Sequence, residues 1–145
     1  MNKKFYDFFN PLKDELGIRK TSFTKIFKYL DELSGQINIV ETGCLRIKDN
    51  FKGDGQSTLF FDKYTLSRGD GSKVYTVDID PEATTVCKSI VSNNVEINTG
   101  DSVEYLIQLM KKLEDQNRKV SLFYLDSYDV NWISPHEAAA HHLKE

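Results

Sequence analysis

Four predicted strands in this sequence are each followed, within a few residues, by acidic, glycine or hydroxyl residues that could hold a small ligand. Glu41-Thr42-Gly43 follows the first strand, Asp78 the second, Gly100-Asp101-Ser102 the third and Asp126 the fourth. In parallel sheets ligands bind beyond the carboxyl ends of the strands, close to the point where the strand order reverses. We therefore expect these residues to face one cleft.

Each of these acids has a chemical role and a plain structural alternative. Asp78 can accept hydrogen bonds from the two hydroxyls of a ribose, or it is a solvated acid at a strand end. Asp101 can contact the amino edge of an adenine, or it caps the helix that follows it. Asp126 ends an apolar strand, where an unpaired carboxylate costs desolvation, so we expect it to face a ligand, a cation or an amine.

Two further patterns could bind charged groups. Gly53-Asp54-Gly55-Gln56-Ser57-Thr58 leads into a helix. Its glycines let backbone approach a ligand and the helix start offers free amides, although an ordinary turn has the same composition. Asp126 and Asp129 could share a hard cation such as Mg²⁺ or Ca²⁺, but one pair supplies few ligands. His141 and His142 point about 100° apart on a helix, which makes them a poor metal pair.

The elements that position these residues alternate between strand and helix. Residues 1–35 have two runs of apolar residues at helical spacing, which predict an N-terminal helical cap. The pattern of residues 36–145 predicts a ligand-binding unit, and its last helix is expected to continue to Glu145. Its strands are predicted at 37–40, 74–77, 95–97 and 120–125. Right-handed crossovers make such a chain an α/β, Rossmann-like, doubly wound parallel sheet of about four strands. The apolar run 120–125 indicates a strand covered on both faces.

Composition places the chain among soluble globular domains. It has 145 residues, of which 39% are hydrophobic and 28% charged. No apolar run is long enough to cross a membrane and no signal core follows the N-terminus, so we expect a cytoplasmic protein. Residues 1–28 carry a formal charge of +4, from seven basic and three acidic residues. We interpret them as a solvated helix face rather than a nucleic-acid site. Cys44 and Cys87 are expected to be small core residues.

The order and spacing of the motifs resemble those of class I S-adenosylmethionine-dependent methyltransferases, in the small-molecule O-methyltransferase-like branch. The resemblance covers about residues 37–145 and implies transfer of the cofactor's methyl group to an oxygen or nitrogen of a small-molecule acceptor. It implies cofactor contacts from Glu41, Gly43, Gly55 and Ser57 on the methionine side, from Asp78 and Ile79 at the ribose, from Asp101 and Ser102 at the adenine, and from Asp126 at the donor amine or the acceptor. Asp126 is thus also the candidate catalytic residue.

Two departures from that family bear on the prediction. The first motif of the family corresponds here to two halves, Glu41-Thr42-Gly43 and Gly55-Gln56-Ser57-Thr58, and residues 45–52 form an insertion between them. Only four strands are predicted where the family sheet has seven. The chain therefore looks truncated after the fourth strand, whose edge should be covered by a second copy or a partner chain.

Two alternative functions remain open. One is a non-catalytic cofactor-binding or scaffold module, completed by self-association or by a partner chain. The other is an NAD-dependent oxidoreductase. It is less favoured because Asp78 lies 35 residues after Gly43, against about 20 in that class, and no G-x-G-x-x-G is present.

Overall fold

The computed structural model describes residues 2–53, 56–126 and 136–145. Its strands are β1 (Asn38–Thr42), β2 (Lys73–Asp78), β3 (Val95–Thr99) and β4 (Leu122–Leu125). Its α-helices are α1 (Lys3–Leu12), α2 (Arg19–Glu32), α3 (Ser57–Arg68), α4 (Pro81–Ile90), α5 (Ser102–Asp115) and α6 (His136–His142), and a short 3₁₀ helix, Lys13–Leu16, follows α1. The predicted sites Gly55 and Asp129 lie outside the described residues.

The described strands form one parallel sheet in the order β3-β2-β1-β4. The reversal of strand order falls at β1, which pairs with β2 on one side and β4 on the other. Ile39 of β1 lies opposite Val74 of β2 and Leu122 of β4. Helices flank this sheet, so the predicted α/β, Rossmann-like architecture is confirmed.

The two faces of the sheet have different cores because successive side chains of a strand point to opposite sides. Ile39 and Val74 belong to a cluster with residues of α1, α2 and α3. Val40 and Val77 pack on the other face, against Leu106 and other residues of α5.

The predicted N-terminal cap shares its core with the sheet. Phe5, Phe23 and Phe27, at the helical spacing seen in the sequence, are buried in the same cluster as Ile39. The Phe23 ring stacks on Tyr124 of β4, with ring centroids 5.9 Å apart. Asp31 of α2 accepts hydrogen bonds from the hydroxyls of Tyr6 in α1 and Tyr64 in α3, both at 3.0 Å. The N-terminal helices are thereby part of the sheet's own hydrophobic core.

The starts of α4 and α5 confirm two local predictions. The Asp80 carboxylate accepts a hydrogen bond from Glu82 N at 2.8 Å, and Pro81 occupies the first helical position. The Asp101 carboxylate accepts one from Glu104 N at 3.0 Å. Each side chain satisfies an amide that has no partner within the helix.

Two expectations about the C-terminal part are wrong. β4 is covered on one face only, because α5 lies over β1 and β2 and leaves Phe123 47% and Leu125 38% exposed. The last helix ends at His142 instead of running to the last residue. Lys144 N donates to His141 O at 2.9 Å, a bond of the i to i+3 kind that tightens and closes the final turn. No helix among the described residues is long and apolar enough to cross a membrane.

Candidate functional site

A cavity of about 150 Å³ lies at the carboxyl ends of β1, β2 and β3. It is lined by Gly43, Val77, Asp78, Ile79, Gly100, Asp101, Ser102 and His141. Five of these eight, Gly43, Asp78, Ile79, Asp101 and Ser102, are among the cofactor contacts that the family resemblance implied, and they lie at or just beyond the ends of three separate strands. The parallel topology brings them together, as expected for a sheet whose strand order reverses at β1.

Asp78 holds the first two loops of the cavity in place. Its Oδ2 accepts a hydrogen bond from Cys44 N at 3.1 Å, and its Oδ1 accepts one from Asp80 N at 3.0 Å. An ionised carboxylate has about four acceptor positions, so two remain after these bonds. The side chain is half-buried and lines the cavity. It can therefore accept hydrogen bonds from ligand hydroxyls without giving up its structural contacts.

Gly43 forms the part of the wall that comes after β1. Its N–H donates to Val77 O at 2.8 Å, which extends the ladder between β1 and β2 to the rim of the cavity. Its φ is +80°, a backbone conformation that residues with a Cβ avoid. Glycine thus permits a ligand to approach this backbone closely.

The start of α5 forms the opposite wall. Asp101 caps the helix and is exposed, so the structural alternative given for it from the sequence is confirmed. Ser102 is buried, and its Oγ lies 3.0 Å from Nε2 of His141. His141 in turn lies 3.3 Å from Oε1 of Glu145.

Three lining residues were not predicted as cofactor contacts: Val77 and Gly100 adjoin predicted residues in the sequence, whereas His141 is far from all of them. Its contact with Ser102 joins positions 39 residues apart, on two helices with no shared local pattern. No motif around His141 indicates which element α6 packs against. The signal that places it exists only in the folded chain.

Glu41 lies behind the cavity wall and does not line it. Its side chain is fully buried, and its Oε2 accepts hydrogen bonds from Thr58 Oγ1 at 2.6 Å and Thr76 Oγ1 at 2.9 Å. Oε1 has no hydrogen-bond partner among the described residues. Burial raises the pKa of Glu41 to about 7, while hydrogen bonds from Ser57, Thr58 and Thr76 oppose the rise.

This buried carboxylate joins the two halves of the first motif. Ser57 and Thr58 open α3, and Thr58 Oγ1 also accepts a hydrogen bond from Leu45 N at 2.9 Å. The predicted cofactor residues Glu41 and Ser57 are therefore in contact with each other. They support the loop between β1 and α3 from beneath.

Gln56, just before α3, holds an unusual backbone conformation. It is fully buried with φ +55° and ψ +26°, the left-handed region that non-glycine residues rarely occupy. Its Nε2 donates to Ile47 O at 2.6 Å, across the insertion in the first motif. Such strain persists where surrounding contacts enforce it and is concentrated at functional sites.

Asp126 lies next to the end of β1, outside the cavity wall. Its backbone N–H donates to Thr42 O at 2.9 Å, and its side chain is exposed. The predicted metal pair with Asp129 is left open, because Asp129 lies outside the described residues. In the part of the chain that the structure describes, no three metal-ligating side chains come together.

Cys44 and Cys87 are buried neighbours in one small core cluster. The hydrogen bond with Cys87, together with burial, raises the pKa of the Cys44 thiol. Both are buried, as predicted from the sequence for small core residues, and the raised pKa disfavours the thiolate form of Cys44.

The cavity combines apolar surface with hydrogen-bond acceptors. Val77 and Ile79 offer apolar surface, and Asp78 offers free acceptor positions. Comparison of the chain with protein families, with curated proteins and with solved structures finds no match.

Proposed function

We propose that the chain binds S-adenosylmethionine beyond the carboxyl ends of β1, β2 and β3 and is a methyltransferase of small-molecule acceptors. The position of Asp78 is the observation that carries this proposal. It is the last residue of β2 in a parallel sheet, lines the cavity and keeps acceptor positions for two further hydrogen bonds, the number that the two ribose hydroxyls would donate.

The other residues take roles that their places suggest. Gly43 provides close backbone approach, Asp101 and Ser102 flank the base, and Asp126 at the end of β4 faces the acceptor side. The cofactor, when bound, supplies an activated methyl group on a sulfonium. The chain contributes proximity and orientation of the acceptor oxygen or nitrogen. Mg²⁺ or Ca²⁺ at Asp126 and Asp129 remains a prediction.

A cytoplasmic location belongs to the same proposal. Cys44 and Cys87 are adjacent in the core and yet are free thiols. A reducing compartment keeps such pairs unoxidised.

Calorimetric titration with S-adenosylmethionine, S-adenosylhomocysteine and NAD tests the binding step. We expect both sulfur ligands to bind and NAD to give no heat. Asp78→Asn keeps the size of the side chain but removes its charge, and should weaken binding about 10- to 150-fold, the range for lost hydrogen bonds to a charged group. Asp80→Asn is the control, because Asp80 is a neighbouring exposed acid outside the cavity wall.

The outcomes separate the candidate functions. No heat with either sulfur ligand overturns the proposal, and binding of NAD alone favours the oxidoreductase. Equal affinity of the Asp78→Asn and Asp80→Asn variants removes Asp78 from the site.

A non-catalytic module is the second candidate, and the uncovered face of β4 favours it. Phe123 and Leu125 are exposed on an edge strand, as expected where a second copy or a partner chain completes the sheet. Tight binding of S-adenosylmethionine without methyl transfer to a panel of phenols, catechols and amines would support this candidate.

A further inference from the structure

A second cavity lies at the opposite end of the sheet from Asp78. It measures about 590 Å³ and is lined by the end of α2, the start of β1 and residues 117–121, which connect α5 to β4. No described residue lines both cavities, and the span of β1 from Asn38 to Gly43, about 17 Å, separates them. Sites for small molecules generally measure about 300–1,000 Å³, so the second cavity has room for a ligand of its own.

The end of α5 brings two cationic residues to the second cavity. Asn117 has φ +53°, and its N–H donates to Glu114 O at 2.9 Å. The next N–H, that of Arg118, donates to Leu113 O at 2.8 Å. These two bonds form a Schellman motif, which ends the helix and satisfies carbonyls of its last turn. Arg118 and Lys119 line the cavity directly after this turn.

The charge of these two residues is not neutralised within the described part of the chain. Neither Arg118 nor Lys119 forms a salt bridge with a described acid, and the described residues that line the cavity include no acid. The Arg118 guanidinium donates to Gly71 O at 3.2 Å and keeps further N–H groups, since it has five. Guanidinium groups bind carboxylates and phosphates through paired N–H donors, so this lining favours an anion.

Asn38 adds an acceptor to the lining. Its side chain is 2% exposed, and its Nδ2 donates to Lys119 O at 2.8 Å, which fixes the orientation of the amide. The amide oxygen Oδ1 has no hydrogen-bond partner in the part of the chain that the structure describes, and neither has the buried Nε of Arg118. Buried polar atoms nearly always have a partner, which is a protein group, water or a ligand. An anion that also carries a hydroxyl group offers partners for both atoms.

We propose that the second cavity binds a small organic anion that carries hydroxyl groups, either a phosphate ester or a carboxylate. Its anionic group contacts Arg118 and Lys119, and a hydroxyl donates to Oδ1 of Asn38. This inference does not depend on the proposed function, because the two cavities share no described residue. The length of β1 also keeps this anion away from the carboxyl ends of the strands, so it is not the methyl acceptor.

Calorimetric titration with ribose 5-phosphate, citrate and ribose as probes tests the binding. We expect at least one of the two anions to bind at millimolar concentration and ribose, which has no charge, to give no heat. Binding of ribose 5-phosphate alone assigns the site to phosphate esters, and binding of citrate alone assigns it to carboxylates. The proposal is overturned if neither anion binds, or if ribose binds as tightly as ribose 5-phosphate.

Charge reversal at Lys119 tests where the anion binds. Lys119 is exposed, so Lys119→Glu should fold normally, and it should weaken binding of the anion about 2- to 30-fold through a lost attraction and a new repulsion. Lys111→Glu is the matched control, because Lys111 is exposed on α5, does not line the cavity and changes the net charge equally. Equal weakening in the two variants overturns the site.

Arg118→Gln should weaken binding of the same anion about 10- to 150-fold, because it removes a charged donor. Arg118 also bonds Gly71 O, so urea unfolding of this variant must show a folded chain before its affinity is compared. Asp78→Asn is the second control and should leave the affinity unchanged. If Asp78→Asn weakens binding as much as Arg118→Gln, the anion occupies the first cavity and the proposal is overturned. These titrations contain no S-adenosylmethionine, so failure of the proposed function would not affect them.

Discussion

The carboxylate of Glu41 lies in the hydrophobic interior, where a charge is costly. Glu41 is fully buried on the central strand, and Thr58 and Thr76 satisfy only one of its oxygens. Burial is the dominant cause of its raised pKa, which lies at about 7 against an ordinary value of 4.5. The folded chain therefore holds this proton over a range of pH in which the unfolded chain has released it.

The stability of the fold should fall as the pH rises from 4.5 to about 7. In that range the unfolded state binds fewer protons than the folded state, so the free energy of unfolding decreases with pH. Below pH 4.5, Glu41 contributes about 3 kcal/mol to the free energy of unfolding. This contribution is lost as the pH rises above about 7. Glu41→Gln, which carries no charge, should remove this part of the pH dependence and unfold at higher urea than the unmodified chain at pH 8.

Urea unfolding at pH 5 and pH 8 measures the effect. Glu104→Gln is the control, because Glu104 is exposed in the first turn of α5. If Glu41→Gln and the unmodified chain lose the same stability between the two pH values, the buried carboxylate is not the cause.

The residues of the site differ in whether the neighbouring sequence alone is enough to predict their place. Gly43, Asp78 and Asp101 could be predicted, because each lies at or just beyond the end of a strand and parallel strands end at one edge. The burial of Glu41 could not, since its partners Thr58 and Thr76 become neighbours only when α3 packs on the sheet. His141 was missed for the same reason.

Helix starts are the elements that the sequence defines best. Asp80 and Asp101 each precede a helix, and in the structure each carboxylate bonds an amide of the first turn at 2.8 and 3.0 Å. Both signals lie within four residues, so no knowledge of the fold was needed. The exposure of one face of β4 could not be predicted in this way, because an apolar run does not reveal whether a helix lies over each face of a strand.

Removing either cap should destabilise the chain to a similar extent. Asp80→Ala and Asp101→Ala each lose one side-chain cap, which costs about 1 kcal/mol. Asp80→Asn and Asp101→Asn should restore most of the loss, since an amide oxygen also accepts the bond. Urea unfolding of the four variants checks this, and an alanine variant as stable as its asparagine counterpart would contradict the capping role.

The sheet formed by the described strands has two edges of unlike character. β3 carries Glu96, which pairs with Lys112 at 2.7 Å and presents charge at that edge. β4 instead presents Phe123 and Leu125, exposed and apolar. Unpaired strands with apolar side chains attract further strands, whereas charged edges repel them. The β4 side is thus the expected contact surface for a second copy.

We expect the chain to associate through β4, and we expect the substitution Phe123→Lys to prevent this association. Two identical edges related by a twofold axis pair antiparallel, which would join two four-stranded sheets into one. Sedimentation velocity over a range of concentrations should show dimers for the unmodified chain and monomers for Phe123→Lys. Leu66→Lys is the control, because Leu66 is 51% exposed on α3 and away from this edge. A monomer at every concentration would contradict the assembly.

The buried Glu41 also restricts how β1 and β2 can align. Glu41 lies opposite Thr76 in the observed pairing, on the face where Thr58 supplies a second hydroxyl. A slip by one residue would turn every β1 side chain to the opposite face and place the carboxylate among Val77 and Leu106. There it would find apolar side chains in place of hydroxyls. The Glu41 carboxylate lowers the stability of the fold above neutral pH. It destabilises the neighbouring registers of β1 and β2 even more, and it therefore favours the observed alignment of these two strands.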